Sequence, residues 1–310
     1  MTQISVIGHK NPDTDCTLSA IIMADYLNKK GYLATPYIQG SLNKETLFLL
    51  EKYNIPEPVI VTQLDTNIDV CLVDHNEASQ SIDNLTNVRV SHIVDHHKIN
   101  FESNTPLFMR LEPLCSTASV LYKMYIEAGY EISQDIATMM LACIMSDSLL
   151  WKSSTTTEED KVIAAKLQKI TAISNLSDFA MPMFEAKSDL GDVSAEEIIT
   201  SDYKIFEAGD SNIGCGTVET TSPDNILARK EEILVGMKNI KENQKLDFIM
   251  LSIVDIIQEI NTTLVLDGKD SEIIETVFDS SVINNEANLG ARLSRKKQII
   301  PQLTEYFNAR

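Results

Sequence analysis

Short apolar runs recur through the first part of the chain, over residues 4–7, 32–39, 59–62, 70–73, 88–94 and 107–111, and each has the length of one strand. Between them, apolar positions spaced three and four apart predict helices over 15–30, 43–53 and 116–128. Strand and helix alternate, which predicts an α/β domain with a largely parallel sheet flanked by helices. In such a sheet ligands gather at the carboxyl ends of the strands. A further helix opens at Ser133, with Ile136, Met139, Met140, Cys143 and Ile144 on one apolar stripe and Asp147 on the same stripe. Thr157 and Asp160 have the spacing of a capping box, and Glu158, Glu159 and Asp160 suit a helix N-terminus, so these acids read as structural.

The apolar pattern thins over 185–197, most clearly through Lys187, Ser188, Asp189, Leu190, Gly191 and Asp192. Beyond it the order of elements changes. Strands are expected at 202–206 and 213–219, a long helix over 223–243 begun by Ser222 and Pro223, and strands at 248–254 and 262–266. The expected organisation is therefore a catalytic domain at 1–187, a linker at 188–195, and a smaller α/β domain with a mixed sheet at 196–310.

Composition narrows the setting. The 310 residues are 44% hydrophobic and 23% charged, ordinary for a water-soluble protein, and no apolar run reaches the length of a membrane span. No basic-then-apolar leader is visible, and a cytoplasmic address is the expectation. The five cysteines, Cys16, Cys71, Cys115, Cys143 and Cys215, form no Cys-x-x-Cys pair, and four lie in or beside apolar runs, so they read as buried free thiols. Cys16 reads as a packing residue at a helix start. A net charge of −19 argues against nonspecific binding to nucleic acid or to an anionic membrane. An anionic substrate would need local positive charge, and Arg295, Lys296 and Lys297 form one such cluster.

The candidate chemistry falls at the predicted strand ends. Gly8, His9, Lys10, Asn11, Pro12, Asp13, Thr14 and Asp15 fill the first strand-to-helix turn, and His9, Asp13 and Asp15 offer nitrogen and carboxylate oxygen suited to Mn²⁺ or Co²⁺. The other reading of that turn is an aspartate N-cap beside a surface histidine. The run 70–73 ends in Asp74, His75 and Asn76, either a ligand set or a polar turn. The run 88–94 ends in Asp95, His96 and His97, whose imidazoles would point to opposite sides in extended chain, one toward metal and the other toward substrate. Asp95 could fix an imidazole tautomer, and His92 within the strand reads as structural. Asp147 on a buried face needs a partner, and a metal is an adequate one.

Together these motifs resemble the family II, manganese-dependent inorganic pyrophosphatases of the DHH phosphoesterase superfamily. The resemblance rests on residues 8–15, on Asp74-His75-Asn76 and Asp95-His96-His97, on Ser146 and Asp147 followed by Lys152 and Thr155-Thr156-Thr157, and on Ser294-Arg295-Lys296-Lys297-Gln298, in the family's order. It implies a DHH domain and a DHHA2 domain with the site in the cleft, and hydrolysis of pyrophosphate by water activated at two Mn²⁺ or Co²⁺ ions. It implies metal ligands at His9, Asp13, Asp15, Asp74, His96 and Asp147, with Asp74 shared by both metals. Substrate contacts would fall on His97, Lys204, Arg295 and Lys296, with His97 assisting the leaving phosphate. Mg²⁺ would arrive with the substrate, and the protein would be a homodimer. The motif spacing leaves no room for the regulatory nucleotide-binding insert of some members. The alternative is a related DHH enzyme acting on polyphosphate or short oligonucleotides, which the acidity and the lack of any histidine after His97 disfavour.

Overall fold

The first strand, β1 (Gln3–Ile7), enters α1 (Thr14–Lys29) through a turn capped by Asp13, whose side chain accepts from the Cys16 amide at 2.9 Å. In the computed structural model, which describes residues 1–309, the alternation continues with β2 (Leu33–Ile38), α2 (Lys44–Lys52), β3 (Val59–Ile60), β4 (Asp69–Val73), β5 (Val90–Asp95) and β6 (Phe108–Leu111). Four helices follow: α3 (Thr117–Ala128), α4 (Gln134–Ser148), α5 (Glu158–Thr171) and α6 (Leu176–Lys187). The chain divides into two units, Met1–Lys187 and Ser188–Arg310.

In the first unit the six strands are parallel throughout and lie in the order β3-β2-β1-β4-β5-β6. Residues 70–73 of β4 are all buried, as expected of a parallel strand covered on both faces. The strand order reverses direction at β1 and β4. The loops leaving those two strands run off differently and open a crevice beyond their carboxyl ends.

Helix α4 departs from the expected single stripe. Residues 136–146 are all buried, because the helix packs against α1, α3, α5 and α6 and is apolar on every side. Its start is capped by Ser133, and α5 starts with the reciprocal Thr157–Asp160 capping box.

The second unit contains α7 (Ala195–Thr200), β7 (Tyr203–Ala208), β8 (Ser211–Thr220), α8 (Pro223–Leu227), α9 (Lys230–Asn243), β9 (Phe248–Asp255), β10 (Ile260–Val265), α10 (Lys269–Phe278), β11 (Val282–Ile283) and β12 (Glu286–Asn288). A π-helical turn at Arg295–Ile299 then leads into α11 (Ile300–Asn308). Its sheet runs β11-β12-β10-β9-β8-β7 and is mixed, with β8 and β9 parallel and the other pairs antiparallel. Strand β9 is buried along its whole length, on both faces. Phe248 and Met250 enter the core shared with Phe278 and Leu303, while Ile249, Leu251 and Ile253 enter the core shared with Ile233 and Met237. The long helix expected over 223–243 is instead two, broken by a tight turn in which the Arg229 amide donates to Ile226 O at 3.0 Å. Arg310, the last residue of the expected second domain, lies outside the described residues.

Candidate metal centre

Three strand ends of the first unit supply the site. After β1, Gly8 lets the first turn of α1 approach, since a Cβ there would lie 2.1 Å from Cys16 Sγ and 2.9 Å from Cys16 O. Cys16 is fully buried in that contact, as a packing residue would be. After β4, Asp74 adopts φ +60°, a left-handed conformation uncommon for aspartate, in the interior of the site. Its two oxygens face different imidazoles. Asp74 Oδ2 lies 3.3 Å from His9 Nε2, and Asp74 Oδ1 lies 3.3 Å from His96 Nε2 and accepts from Thr117 Oγ1 at 2.9 Å.

Both imidazoles are turned by backbone carbonyls. His9 Nδ1 donates to Lys10 O at 2.8 Å and His96 Nδ1 donates to Leu114 O at 2.9 Å, which leaves each neutral ring with its Nε2 lone pair toward the carboxylates. The expectation that His96 and His97 point to opposite sides fails. Strand β5 ends at Asp95, whose Oδ1 accepts from the amides of His96 and His97 at 2.7 and 3.1 Å, and the resulting turn brings the two rings within 4.1 Å. Asp95 also accepts from His97 Nδ1 at 2.9 Å, the orienting bond anticipated from the sequence, and the half-exposed His97 ring comes within 3.8 Å of Asp74. His92 lies instead between the rings of Tyr32 and Phe108.

Asp13 lies 3.6 Å from His9 Nε2. Asp15 is buried and accepts from Ser19 Oγ at 3.0 Å, Ser116 Oγ at 2.8 Å and the Thr117 and Ala118 amides at 2.7 and 3.3 Å. The first turn of α3 has no acid of its own, so Asp15 supplies the negative charge that helix end favours. Three overlapping groups have ligand atoms within 4.8 Å of one another: His9, Asp13, Asp74 and Cys16; Asp74, His96 and His97; and Asp15, His96 and Asp147. A cavity of about 520 Å³ is lined by His9, Asp13, Asp74, His96, His97 and Asp147, with Lys10, Glu77 and Thr155 in its wall.

The charge balance is strained toward the negative. Burial, then the charges of Asp15 and Asp74, hold the Asp147 carboxyl well above the usual range. Burial and the Asp74 charge push Asp15 up to about 7. Burial also opposes ionisation of Asp74, but hydrogen bonds from His9 and His96 outweigh it and hold Asp74 low. Burial would lower His96, yet its hydrogen bond to Asp74 prevails and raises it to about 9; His9 is raised in the same way, with Asp13 and Asp74 outweighing its burial. Protons thus occupy positions where a cation would satisfy the same acids. The donor set is imidazole nitrogen and carboxylate oxygen, with one carboxylate divided between two histidines, and it fits divalent first-row ions. Cys16 is the soft donor in the cluster, but burial pushes its thiol up to about 12 and its Sγ faces His9 O at 3.7 Å.

The remaining expected site residues belong to the second unit. Arg295 is already engaged: Nη2 bonds Asp202 Oδ1 at 2.7 Å, and Nη1 donates to Asp202 O at 2.5 Å and Cys215 O at 3.2 Å. Lys204 pairs in register with Cys215 and is exposed, as is Lys296. Sequence reasoning passed over Leu114, Ser116 and Thr117 as contacts of the centre, because a hydroxyl residue opening a helix reads only as a cap. It also passed over Asn76 as a brace, although its position in Asp74-His75-Asn76 was a usable signal. Asn76 Nδ2 donates to Asp95 Oδ2 at 2.6 Å and Lys98 O at 3.0 Å, and Asn76 Oδ1 accepts from the Asn100 amide at 2.5 Å, which ties the β4 and β5 turns together.

Comparison with known proteins is consistent with this geometry. Residues 3–144 match the N-terminal domain of the DHH family, and residues 181–306 match the DHHA2 domain. A protein of Deinococcus radiodurans named probable manganese-dependent inorganic pyrophosphatase is 38% identical over 98% of each chain. One of the same name from Staphylococcus saprophyticus is 41% identical over 98% of this chain and 99% of its own. The crystal structure of a Methanococcus jannaschii putative family II inorganic pyrophosphatase is 36% identical, with a TM-score of 0.62 over 98% of this chain and 99% of that one. An exopolyphosphatase-related protein of Bacteroides fragilis, 15% identical with a TM-score of 0.51, shares the fold alone. With full-length relatives at this identity and both domains matched, the chain belongs to the family II, manganese-dependent inorganic pyrophosphatases of the DHH phosphoesterase superfamily.

Proposed function

We propose that this protein hydrolyses inorganic pyrophosphate to two phosphates. The observation that carries the reading is the division of the Asp74 carboxylate between His9 and His96, inside one cavity that also holds Asp13 and Asp147. His9, Asp13, Asp15, Asp74, His96 and Asp147 are proposed to hold two Mn²⁺ or Co²⁺ ions, with Asp74 common to both. Such ions, when bound, supply Lewis acidity toward phosphoryl oxygens and a nucleophile at neutral pH. A Mg²⁺ is proposed to enter with the substrate, since Mg²⁺ favours sites it shares with phosphates.

The protein's own groups do the rest. The hydrogen bond to Asp95 raises the His97 pKa and favours the imidazolium, and this half-exposed ring, its Nδ1–H anchored on Asp95, presents Nε2–H to donate to the departing phosphate. Lys204, Arg295 and Lys296 are proposed to carry the charge of the substrate, with the Arg295 guanidinium held in orientation by Asp202. We further propose residues 1–187 as the catalytic domain, 188–195 as a linker and 196–310 as the substrate-binding domain. A cytoplasmic homodimer that binds no nucleic acid completes the proposal; the net charge of −19 supports the last point. No helix among the described residues is long and apolar enough to cross a membrane.

The test is phosphate release with Mn²⁺ from pyrophosphate, tripolyphosphate and a dinucleotide in parallel. Pyrophosphate should be the fastest by a wide margin. Preferential cleavage of tripolyphosphate or of the dinucleotide would overturn the reading in favour of the related DHH activities.

A further inference from the structure

One short segment between β6 and α3 touches three proposed ligands. Leu114 O accepts from His96 Nδ1 at 2.9 Å, Ser116 Oγ and the Thr117 amide donate to Asp15 at 2.8 and 2.7 Å, and Thr117 Oγ1 donates to Asp74 at 2.9 Å. Any shift of the segment therefore moves His96, Asp15 and Asp74 together.

The segment is held from outside the cavity by Asp160. This carboxylate is 0% exposed and grips the segment on both sides, accepting from the Cys115 amide at 3.1 Å and from Ser119 Oγ at 2.7 Å. On its other side it accepts from the Thr157 amide at 2.9 Å and Thr157 Oγ1 at 2.7 Å, the bonds of the α5 capping box. Capping uses Oδ2, which Cys115 shares; Oδ1 is given to Ser119. A capping box works on a solvated surface with one carboxylate oxygen, so the cap alone requires neither the burial nor the bonds to Cys115 and Ser119.

We propose that Asp160 is a positioning residue for the metal centre, fixing the 114–119 segment so that His96, Asp15 and Asp74 hold their orientations together. The inference rests on the metal-centre reading above. Asp160 touches neither metal nor substrate; it acts on groups that hydrogen-bond the ligands, where substitutions typically weaken metal binding by about 10–100-fold.

The variants separate the two roles of this side chain. Asp160→Asn removes the carboxylate charge and exchanges one acceptor oxygen for a donor: turned toward the Cys115 and Thr157 amides the donor opposes them, and turned toward Ser119 it leaves only a weaker, neutral bond to the hydroxyl with its direction reversed. Thr157→Ala weakens the α5 cap and leaves the bonds to Cys115 and Ser119 intact. Ser119→Ala removes one grip on the segment without touching the cap. Mn²⁺ affinity is read from the free-ion EPR signal well below the melting temperature, and the Tm of the metal-free protein is read beside it. Asp160→Asn is expected to raise the Mn²⁺ Kd by about 10–100-fold. Ser119→Ala should raise it less, and Thr157→Ala should lower Tm with Mn²⁺ affinity unchanged. Folded Asp160→Asn protein with wild-type Mn²⁺ affinity would overturn the proposal, as would an equal loss of affinity in Thr157→Ala. Should Asp160→Asn not fold, Ser119→Ala decides, and unchanged affinity there overturns it. Wild-type protein that binds no Mn²⁺ would instead refute the metal-centre reading itself.

Discussion

Metal binding at this centre must expel protons, and the amount follows from the geometry. His96 Nε2 faces Asp74 at 3.3 Å, and that contact raises the imidazole from its ordinary 6.5 to about 9 despite burial. At about pH 7 the metal-free ring is therefore protonated, yet only the neutral ring can ligate. Removing a proton two pH units below its pKa costs about 3 kcal/mol, so Mn²⁺ binding at about pH 7 should be roughly a hundredfold weaker than above pH 9 from this residue alone. His9 is raised as well, between Asp13 and Asp74, and the buried Asp15 and Asp147 carboxyls are raised too, so the wild-type protein should release at least about two protons per site near pH 7, and His96→Ala about one fewer.

The stability of the metal-free protein runs the opposite way. A folded-state pKa raised above the unfolded value gives stability that is complete below 6.5 and lost as the pH climbs through about 9, so the Tm without metal should fall across that window while Mn²⁺ affinity rises. Calorimetric titration with Mn²⁺ in two buffers of different ionisation enthalpy counts the protons directly. A count near zero, or an affinity flat from about pH 6.5 to 8.5, would refute the assignment of His96 Nε2 as a ligand. An identical count in His96→Ala would refute it as well.

Other expectations follow from individual contacts. Asp74→Asn keeps the side-chain shape but removes the charge between His9 and His96; Mn²⁺ uptake should fall at both positions together and phosphate release by more than about 100-fold, whereas loss at one position only, seen as half the bound Mn²⁺, would contradict a shared carboxylate. Arg295→Ala should raise the KM for pyrophosphate and leave Mn²⁺ binding unchanged, since Arg295 bonds Asp202 and Cys215 and no proposed ligand; a fall in Mn²⁺ affinity would contradict that division. Gly8→Ala should destabilise by about 1–3 kcal/mol through overpacking against Cys16. Adding Cys16→Ala should restore only part of the Tm, because the Cys16 carbonyl, 2.9 Å from the new Cβ, remains; full restoration would show that the sulfur alone is the obstacle.

What could be read in the sequence, and what could not, divides along a physical line. Strand ends are marked locally: an apolar run stops and Asp74, or Asp95-His96-His97, begins. Nothing local says which strand ends are neighbours. That β1 lies beside β4, so that His9 meets Asp74, is set by how the connections cross over the sheet, and the apolar pattern is the same for either order. The opposite-sides expectation for His96 and His97 failed for a related reason, since it assumed extended backbone where Asp95 folds the chain into a turn.

The supporting groups were harder still, because their chemistry is ordinary wherever it appears in a sequence. Glu45 follows the α2 cap, where an acid reads as a solvated partner of the helix dipole. In the fold it is fully buried, accepts from Thr14 Oγ1 at 2.9 Å and Ser146 Oγ at 2.8 Å, and lies 3.4 Å from Lys187 Nζ. Thr14 stands between Asp13 and Asp15, and Ser146 precedes Asp147. Asp160 repeats the pattern from α5, through Cys115 and Ser119. Each acid occupies a site a helix start would favour on its own, and in each case burial, not residue type, marks the additional task. A metal centre assembled from distant strand ends needs rigid links between them, and here buried carboxylates at helix starts provide those links.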